Sequence, residues 1–302
     1  MSKFLISIIG PTAIGKTALS IKLANYFNTE IISADSRQFF KEMQIGTAAP
    51  TTEELAAAKH HFIHHKSIQD NYSVGSFEKD ALTCLETLFK NHNVVIMVGG
   101  SGLYVDAVTK GLDDFPDVDA SIRNSLNADL ETKGLTYLQE QLKSLDPVTY
   151  NTIAIDNPHR VIRALEICIG TGQPYSSFLN KKENERPFKT ITIGLSADRE
   201  IIYDRINRRV DIMMKEGLLN EVKNLLPYKD LNALNTVGYK EIFNYLEGKW
   251  DLDFAVSEIK KNSRRFAKRQ LTWFKKTEKT LWFDYETAVE KIIASCKEQI
   301  KE

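Results

Sequence analysis

Gly10-Pro11-Thr12-Ala13-Ile14-Gly15-Lys16-Thr17 fits the pattern G-x-x-x-x-G-K-[ST] at every constrained position. In a glycine-rich turn of this kind the backbone N–H groups point inward, and the helix that follows adds a partial positive charge at its N-terminus. Lys16 supplies a mobile full charge, and the Thr17 hydroxyl is suited to ligate Mg²⁺. The loop is therefore a diphosphate- or nucleotide-binding element. It specifies the group that is held and leaves open what happens to it. A nucleotide hydrolase would carry an acid at the end of a nearby strand to hold its metal. Here the run Val94–Val98 ends in Gly99-Gly100-Ser101, which counts against a motor or switch ATPase.

A second chemical group follows the short run Glu30–Ala34, where Asp35 precedes Ser36-Arg37-Gln38. Residues at the carboxyl ends of parallel strands face the ligand crevice, so Asp35 is expected near the phosphate loop. There it can take a proton from an acceptor, although a loop or helix-capping aspartate would read the same. A third feature is basic. Residues 260–279 carry Lys260, Lys261, Arg264, Arg265, Lys268, Arg269, Lys275, Lys276 and Lys279 against the single acid Glu278. Lys260/Arg264/Lys268 and Lys261/Arg265/Arg269 form two i, i+4 rows on adjacent helix faces, with Ile259, Phe266 and Trp273 expected on the opposite side. Such a basic half suits a phosphate backbone; a solvated face is the plainer alternative, but it usually mixes signs. His60, His61, His64 and His65 include two i, i+4 pairs. No acid or cysteine stands at a ligand-like spacing around them, so a helix end or loop is expected there and not a metal site.

The elements that must position these groups alternate. Phe4–Ile9 is a continuous apolar run that reads as a buried parallel strand. Thr17–Phe27 has helical spacing, and Glu30–Ala34, Val94–Val98 and Thr190–Leu195 read as further strands, so the fold class is α/β with a parallel sheet. The acidic stretch Asp113-Asp114-Phe115-Pro116-Asp117 breaks the pattern. From there to about 185 the periodicity is helical, with a polar linker at 180–187, which predicts a helical insertion over 116–185 inside a core of 1–115 and 186–302. Beyond Asp198 the chain reads as helical to about Lys279, with a late strand at Leu281–Asp284. A chain of 302 residues, 42% hydrophobic, can bury a large core, and its net charge of zero leaves any affinity for nucleic acid to local patches. Cys84, Cys168 and Cys296 are far apart and odd in number, which excludes a disulfide framework or a zinc finger and fits a reducing compartment. The N-terminal apolar run stops at Gly10, too short for a secretion leader, and no run of about 18 apolar residues occurs. A cytoplasmic protein without membrane attachment is expected.

Seven segments in order resemble the tRNA dimethylallyltransferase (tRNA isopentenylpyrophosphate transferase) family, over nearly the whole chain. Residues 10–17 are similar to its form of the phosphate loop. Ser33-Ala34-Asp35-Ser36 resembles its S-x-D-S, and Met43-Gln44-Ile45-Gly46-Thr47-Ala48 its M-x-I-G-T-A. Val98-Gly99-Gly100-Ser101-Gly102-Leu103-Tyr104 looks like V-G-G-T-x-L-Y, and Asn157-Pro158-His159-Arg160-Val161-Ile162-Arg163-Ala164-Leu165-Glu166 like N-D-P-x-R-x-x-R-A-L-E. Val237–Glu241 (VGYKE) and Ala267–Phe274 (AKRQLTWF) complete the set.

The resemblance implies a P-loop NTPase-like parallel sheet flanked by helices, with the insertion contacting RNA. It implies transfer of a dimethylallyl group from dimethylallyl diphosphate to N6 of adenosine 37, in tRNAs reading codons that begin with U. The loop would then hold the donor's diphosphate with Mg²⁺ on Thr17, and not ATP. Asp35 would take the N6 proton, while Lys16 and Arg209 stabilise the leaving diphosphate. Ser101 stands where threonine is usual, keeping the hydroxyl and losing a methyl. Contacts to the tRNA anticodon stem-loop are implied for Asp35, Ser36, Arg37, Gln38, Ser101, Arg123, His159, Arg160, Val161, Ile162 and Arg163. The same holds for Gly238, Tyr239, Lys240, Arg264, Arg265, Lys268 and Arg269. The zinc finger of the family's eukaryotic members is absent, which implies a bacterial-type or trimmed form, and a monomer is implied. Three alternatives stay open from the residues alone. They are a small-molecule kinase with Asp35 as base, a prenyltransferase acting on free adenine nucleotides, and a non-catalytic RNA-binding module.

Overall fold

The computed structural model describes residues 2–179, 185–277 and 279–301. Most of the expected linker (180–184) and Glu278 lie outside the described residues. The chain divides into two compact units, Met1–Lys110 with Arg186–Glu302, and Gly111–Glu185.

The first unit is built on strands β1 (Phe4–Ile9), β2 (Ile31–Ser33), β3 (His60–His61), β4 (Val94–Val98), β5 (Lys189–Ser196) and β6 (Leu281–Asp284). They form one sheet in the order β3-β2-β4-β1-β5-β6, and every pairing is parallel. Parallel sheets need both faces covered, and the alternation along β1 shows how this is met. Phe4, Ile6 and Ile8 join Leu23, Ala24, Ile96, Ile193 and Ile206 on one face, beneath helix α1 (Lys16–Phe27). Leu5 and Ile9 join Val95, Met97, Phe77, Leu85 and Phe274 on the other. After the short α2 (Thr52–Ala57), helices α3 (Val74–Asn91) and α4 (Gly102–Thr109) supply that second face.

The order brings the carboxyl ends of β2, β4 and β1 side by side. Adjacent parallel strands lie only about 4.8 Å apart, so the segments leaving them are forced together. A Cβ on Gly99 would stand 2.4 Å from the Ala34 carbonyl oxygen, and one on Gly10 would stand 2.6 Å from that of Leu195. Side chains are sterically barred from both turns. The strand at His60–His61 corrects the expected helix end or loop. It pairs with Ile31 and Ile32 at the sheet edge, and two polar residues carry no periodicity to reveal it.

Gly111–Glu185 holds α5 (Ala120–Lys133), α6 (Leu135–Leu145), α7 (Pro147–Thr152), α8 (Pro158–Thr171) and a 3₁₀ turn at Tyr175–Phe178. Its core gathers Leu126, Leu138, Leu142, Val161, Ile162 and Leu165. The unit begins at Gly111 and not at 116, because Phe115 stacks on Tyr175 with ring centroids 4.7 Å apart. The acidic stretch thus belongs to the helical unit. After β5 the chain resumes with α9 (Arg199–Glu216), α10 (Leu218–Asn224), α11 (Tyr239–Leu246), α12 (Leu252–Phe274) and, past β6, α13 (Val289–Lys301). Two 3₁₀ turns at Leu226–Tyr228 and Asn232–Leu234 interrupt the expected helical stretch. Among the described residues no helix is long and apolar enough to cross a membrane.

Asp146 ties the helical unit together. It is 1% exposed and accepts hydrogen bonds from the backbone N–H and hydroxyl of both Thr149 and Ser176. Burial alone would raise its carboxyl, but the four donors outweigh that and hold it below the ordinary carboxylate value. A depressed pKa gives stability that is complete above the unfolded value, about 3.9, and is lost as the pH falls through the folded one. Asp146→Ala is expected to destabilise the unit by about 2–4 kcal/mol, since four donors lose their acceptor. It should also flatten the loss of stability below about pH 4, measured by urea unfolding at stepped pH.

Candidate active site

The phosphate loop leaves β1 at the centre of the sheet and turns into α1. Gly15 caps that helix with φ 107°, and Ala13 holds a left-handed φ of 65°. Arg205 from α9 donates from Nε to the Ala13 carbonyl oxygen at 2.7 Å, fixing the strained turn. Lys16 donates to the Pro11 carbonyl oxygen at 2.7 Å, bending its ammonium back over the loop. Burial pulls the Lys16 ammonium down to about 7; nearby Asp35 opposes the shift and Arg209 adds to it. Burial, then Arg205, also lowers Arg209. Three cations thus surround a loop of inward-pointing amides, which is the electrostatics of a site made for a multiply charged anion.

Asp35 stands just past β2, as the strand-end rule predicts. Its Oδ1 accepts from the Arg37 N–H at 3.0 Å. Burial raises its carboxyl above the ordinary range, against the Arg37 amide and the Lys16 charge, which lower it. A carboxylate raised in this way is a better base than one in water. Ser101, just past β4, caps α4 without bonding that helix's amides. Its hydroxyl instead accepts from the Ser36 N–H at 3.1 Å and donates to the Ser36 hydroxyl at 3.1 Å. The Ser101 hydroxyl therefore holds the Asp35-Ser36 turn directly.

The contacts that unite these turns come from α12 and were not read from the sequence. The Gln270 side chain, 6% exposed, accepts at Oε1 from the Thr12 N–H at 2.8 Å and donates from Nε2 to the Gly100 carbonyl oxygen at 2.8 Å. Three residues on, Trp273 donates from Nε1 to Asp106 at 2.8 Å and lies against Gly102, where an added Cβ would meet its ring at 2.4 Å. Ile259, Ala267 and Phe274 are the buried stripe, while Phe266 and Trp273 are each 38% exposed and line a cavity. The basic rows divide as well. Lys260 pairs with Asp211, Lys261 with Glu258, and Arg264 donates to Asn207; Arg265, Lys268 and Arg269 remain exposed.

One further wall was also missed. Glu221 on α10 accepts from the N–H groups of Gln44, Ile45 and Gly46 and from the Tyr239 hydroxyl, at 2.7–3.0 Å. That fixes the segment whose Thr47 and Ala48 carbonyls accept from the Gln38 amide at 3.3 and 3.2 Å. Tyr239 is fully buried against Gly46, so its side chain is structural, in place of the exposed contact that the motif implied; Lys240 beside it is exposed, and Gly238 is buried. Arg37 donates to the Asn232 carbonyl oxygen at 3.0 Å.

Two cavities share Thr12, Lys16, Asp35, Thr47, Ala48, Gly100 and Arg209. A smaller one of about 240 Å³ encloses the phosphate loop, and a larger one of about 700 Å³ carries Ser101, Leu103, Phe266 and Trp273. One group could thus be held in the loop while another approaches Asp35. In the helical unit, Arg123 and Arg163 converge on the same oxygen of buried Glu166, at 3.2 and 2.8 Å. His159 and Arg160 are exposed. Val161 and Ile162, at 0% and 2% exposure, are core residues and correct the expectation of RNA contact by that whole stretch.

Gln270→Ala should leave the Thr12 N–H and the Gly100 carbonyl unpaired, costing about 2–4 kcal/mol in stability. Inorganic pyrophosphate, titrated by calorimetry, should bind at least about tenfold more weakly, because a loosened loop must be ordered on binding.

The comparisons agree with this geometry. The profile of the IPP transferase family matches residues 38–277. The tRNA dimethylallyltransferase of Christiangramia forsetii is 65% identical over 286 residues, covering 95% of each chain. That of Flavobacterium johnsoniae is 59% identical over 305 residues and 99% of each chain. Among solved structures, the tRNA isopentenylpyrophosphate transferase of Bacillus halodurans superimposes with a TM-score of 0.72 at 38% identity, covering 100% of this chain and 96% of that one. A eukaryotic dimethylallyltransferase, solved acting on tRNA, gives 0.84 at 26% identity over 99% of this chain and 80% of that one. With a phosphate loop, an adjacent raised carboxyl and these relatives along its whole length, the chain belongs to the IPP transferase family.

Proposed function

We propose that this chain transfers a dimethylallyl group from dimethylallyl diphosphate to N6 of adenosine 37 in tRNAs that read codons beginning with U. The observation that carries the reading is Asp35, a half-buried carboxyl that desolvation raises above its ordinary range, in the wall shared by the two cavities. The donor's diphosphate occupies the loop and the adenine enters the larger cavity. N6 attacks the allylic carbon as its bond to the diphosphate oxygen breaks; Asp35 takes the N6 proton, and the electron pair leaves with the diphosphate. Lys16, Arg209 and the loop amides hold the charge that develops there. Ser101 positions the Asp35-Ser36 turn through its two hydrogen bonds.

Mg²⁺ fits this arrangement as an ion carried largely by substrate. Among the described residues no cluster of three His, Cys, Asp or Glu side chains could cage a metal. Mg²⁺ typically keeps its waters and takes one or two protein oxygens with the phosphates, a demand that the Thr17 hydroxyl meets. When bound it would neutralise part of the leaving group's charge.

The acceptor adenosine sits in a loop stack and has to be extruded to reach Asp35. Arg265, Lys268, Arg269 and Lys240 offer exposed charge for the anticodon stem-loop's phosphates, with Arg160 doing so on the helical unit beside the exposed ring of His159. A monomer acting in the cytoplasm completes the reading.

Radiolabelled dimethylallyl diphosphate should label unmodified tRNA carrying adenosines at positions 36–38. Asp35→Ala should lower the rate by at least about 10²-fold, the usual worth of a general base. Because burial raises the Asp35 carboxyl, the acid limb of wild-type kcat/KM should lie at higher pH than an ordinary aspartate would give, the rate falling as the base is protonated. Label on free AMP or ATP and none on tRNA would replace this reading with a nucleotide prenyltransferase. Consumption of ATP without transfer would replace it with a kinase.

A further inference from the structure

His60 has no part in the geometry above. Its Nδ1 lies 2.8 Å from the Ala58 carbonyl oxygen. A carbonyl only accepts, so Nδ1 carries the proton and the neutral ring presents a bare lone pair at Nε2. That Nε2 is sealed from water and has no hydrogen-bond partner among the described residues. A buried polar atom left unpaired costs about 1–3 kcal/mol, which a ligand can relieve. His64 and His65 also have unpaired buried nitrogens, but neither lines the two cavities, and His65 is packed edge-on to Phe39, Phe62 and Tyr72. His60 lines the smaller cavity, together with the phosphate loop, Glu54 and Arg209.

The charges facing this ring decide its state. Glu54 stands on α2, His61 is its neighbour on β3, and Lys16, Asp35 and Arg209 line the same cavity. His61 is itself paired with Glu30 at 2.6 Å. In the free protein, burial holds the His60 imidazolium below its ordinary value, while the Ala58 carbonyl and Glu54 oppose that shift and His61 adds to it. Lys16 and Arg209 stand with Glu54 and Asp35 around the cavity. A bound diphosphate brings several negative charges and reverses the balance.

We propose that His60 is a further ligand of the bound diphosphate: as the anion enters the cavity that the ring lines, a turn of the ring brings Nε2 to the cavity wall, where it takes a proton from solvent and donates a hydrogen bond to a non-bridging phosphate oxygen. The inference rests on the diphosphate reading of the loop and is independent of the acceptor. It gives the site a donor on the wall supplied by the edge strand.

The test is calorimetry of inorganic pyrophosphate with Mg²⁺ at pH 6 and pH 8, in buffers of different ionisation enthalpy, on wild type, His60→Phe and His60→Gln. A charge-assisted hydrogen bond is worth about 1.5–3 kcal/mol, so wild type should bind roughly ten- to a hundredfold more tightly than His60→Phe at pH 6. The gap should narrow at pH 8. Wild type should take up more protons at pH 6 than either variant; the ligand's own titration is common to all three and cancels. His60→Gln, which keeps an N–H donor, should recover part of the affinity without the proton uptake. Equal affinity and equal uptake in wild type and both variants would overturn the proposal. So would equal losses in His60→Phe and His60→Gln with lowered melting temperatures, since the residue would then be structural. Should wild type show the His60-dependent binding but label no tRNA, the inference stands and the prenyl reading falls.

Discussion

One side-chain amide sets the dimensions of the site. Gln270 reaches from α12 across the ends of two strands, with hydrogen bonds of 2.8 Å to Thr12 on one side and Gly100 on the other. The phosphate loop and the Ser101 turn cannot move apart without breaking a buried bond, and a broken buried bond costs more than an exposed one gains. Everything downstream inherits that spacing. Ser101 holds Ser36, Ser36 follows Asp35, and the Asp35 carboxyl sits within the electrostatic reach of Lys16. The bareness of Gly99 and Gly100 is the other half of the device, since a Cβ on Gly100 would stand 2.4 Å from the Gln270 amide nitrogen.

The same closeness explains the shifted ionisations. Lys16 falls to about 7 because it is withdrawn from water and shares the site with Arg209, while the partly compensating Asp35 is itself raised by burial. A free protein in this state stores unfavourable desolvation on the cationic side. A diphosphate relieves it, restoring the lysine's charge and pairing Arg209. The site thus gains more from an anion of high charge than from a neutral molecule of equal size, and that preference needs no additional specificity element.

What could be read from the sequence follows from what each signal contains. Phe4–Ile9 and Val94–Val98 were legible to the residue because buried parallel strands are continuous apolar runs. Asp35 was legible because strand ends face the ligand crevice. His60–His61 was not, being two polar residues at an edge. Helical periodicity placed Phe266 and Trp273 on one apolar side with Ile259 and could not say that Ile259 is buried while the other two line a cavity, because an apolar stripe looks the same in both settings. Resemblance to a motif erred in the opposite direction. It carries whole stretches, and Val161, Ile162 and Tyr239 travel with exposed neighbours although each is buried. Gln270 and Glu221 act across 258 and up to 177 residues of chain, respectively, and no local pattern announces such partners.

The placement of the acid distinguishes this loop from one serving hydrolysis. In a nucleotide hydrolase the acid expected at a neighbouring strand's end serves the metal and water beside the phosphates. Here β4, the strand beside β1, ends in glycines pressed against Ala34 and Gln270, with no room for a side chain. The carboxylate comes instead from β2, one strand farther out, and lies in the wall common to the loop cavity and the larger one. A carboxyl displaced by one strand stands within reach of whatever enters the second cavity as well as of the loop. On the proposed reading the loop holds the leaving group and Asp35 serves a separate acceptor, and the economical reaction is then displacement at the atom joining the two. For a carbon-bearing diphosphate, that atom is carbon.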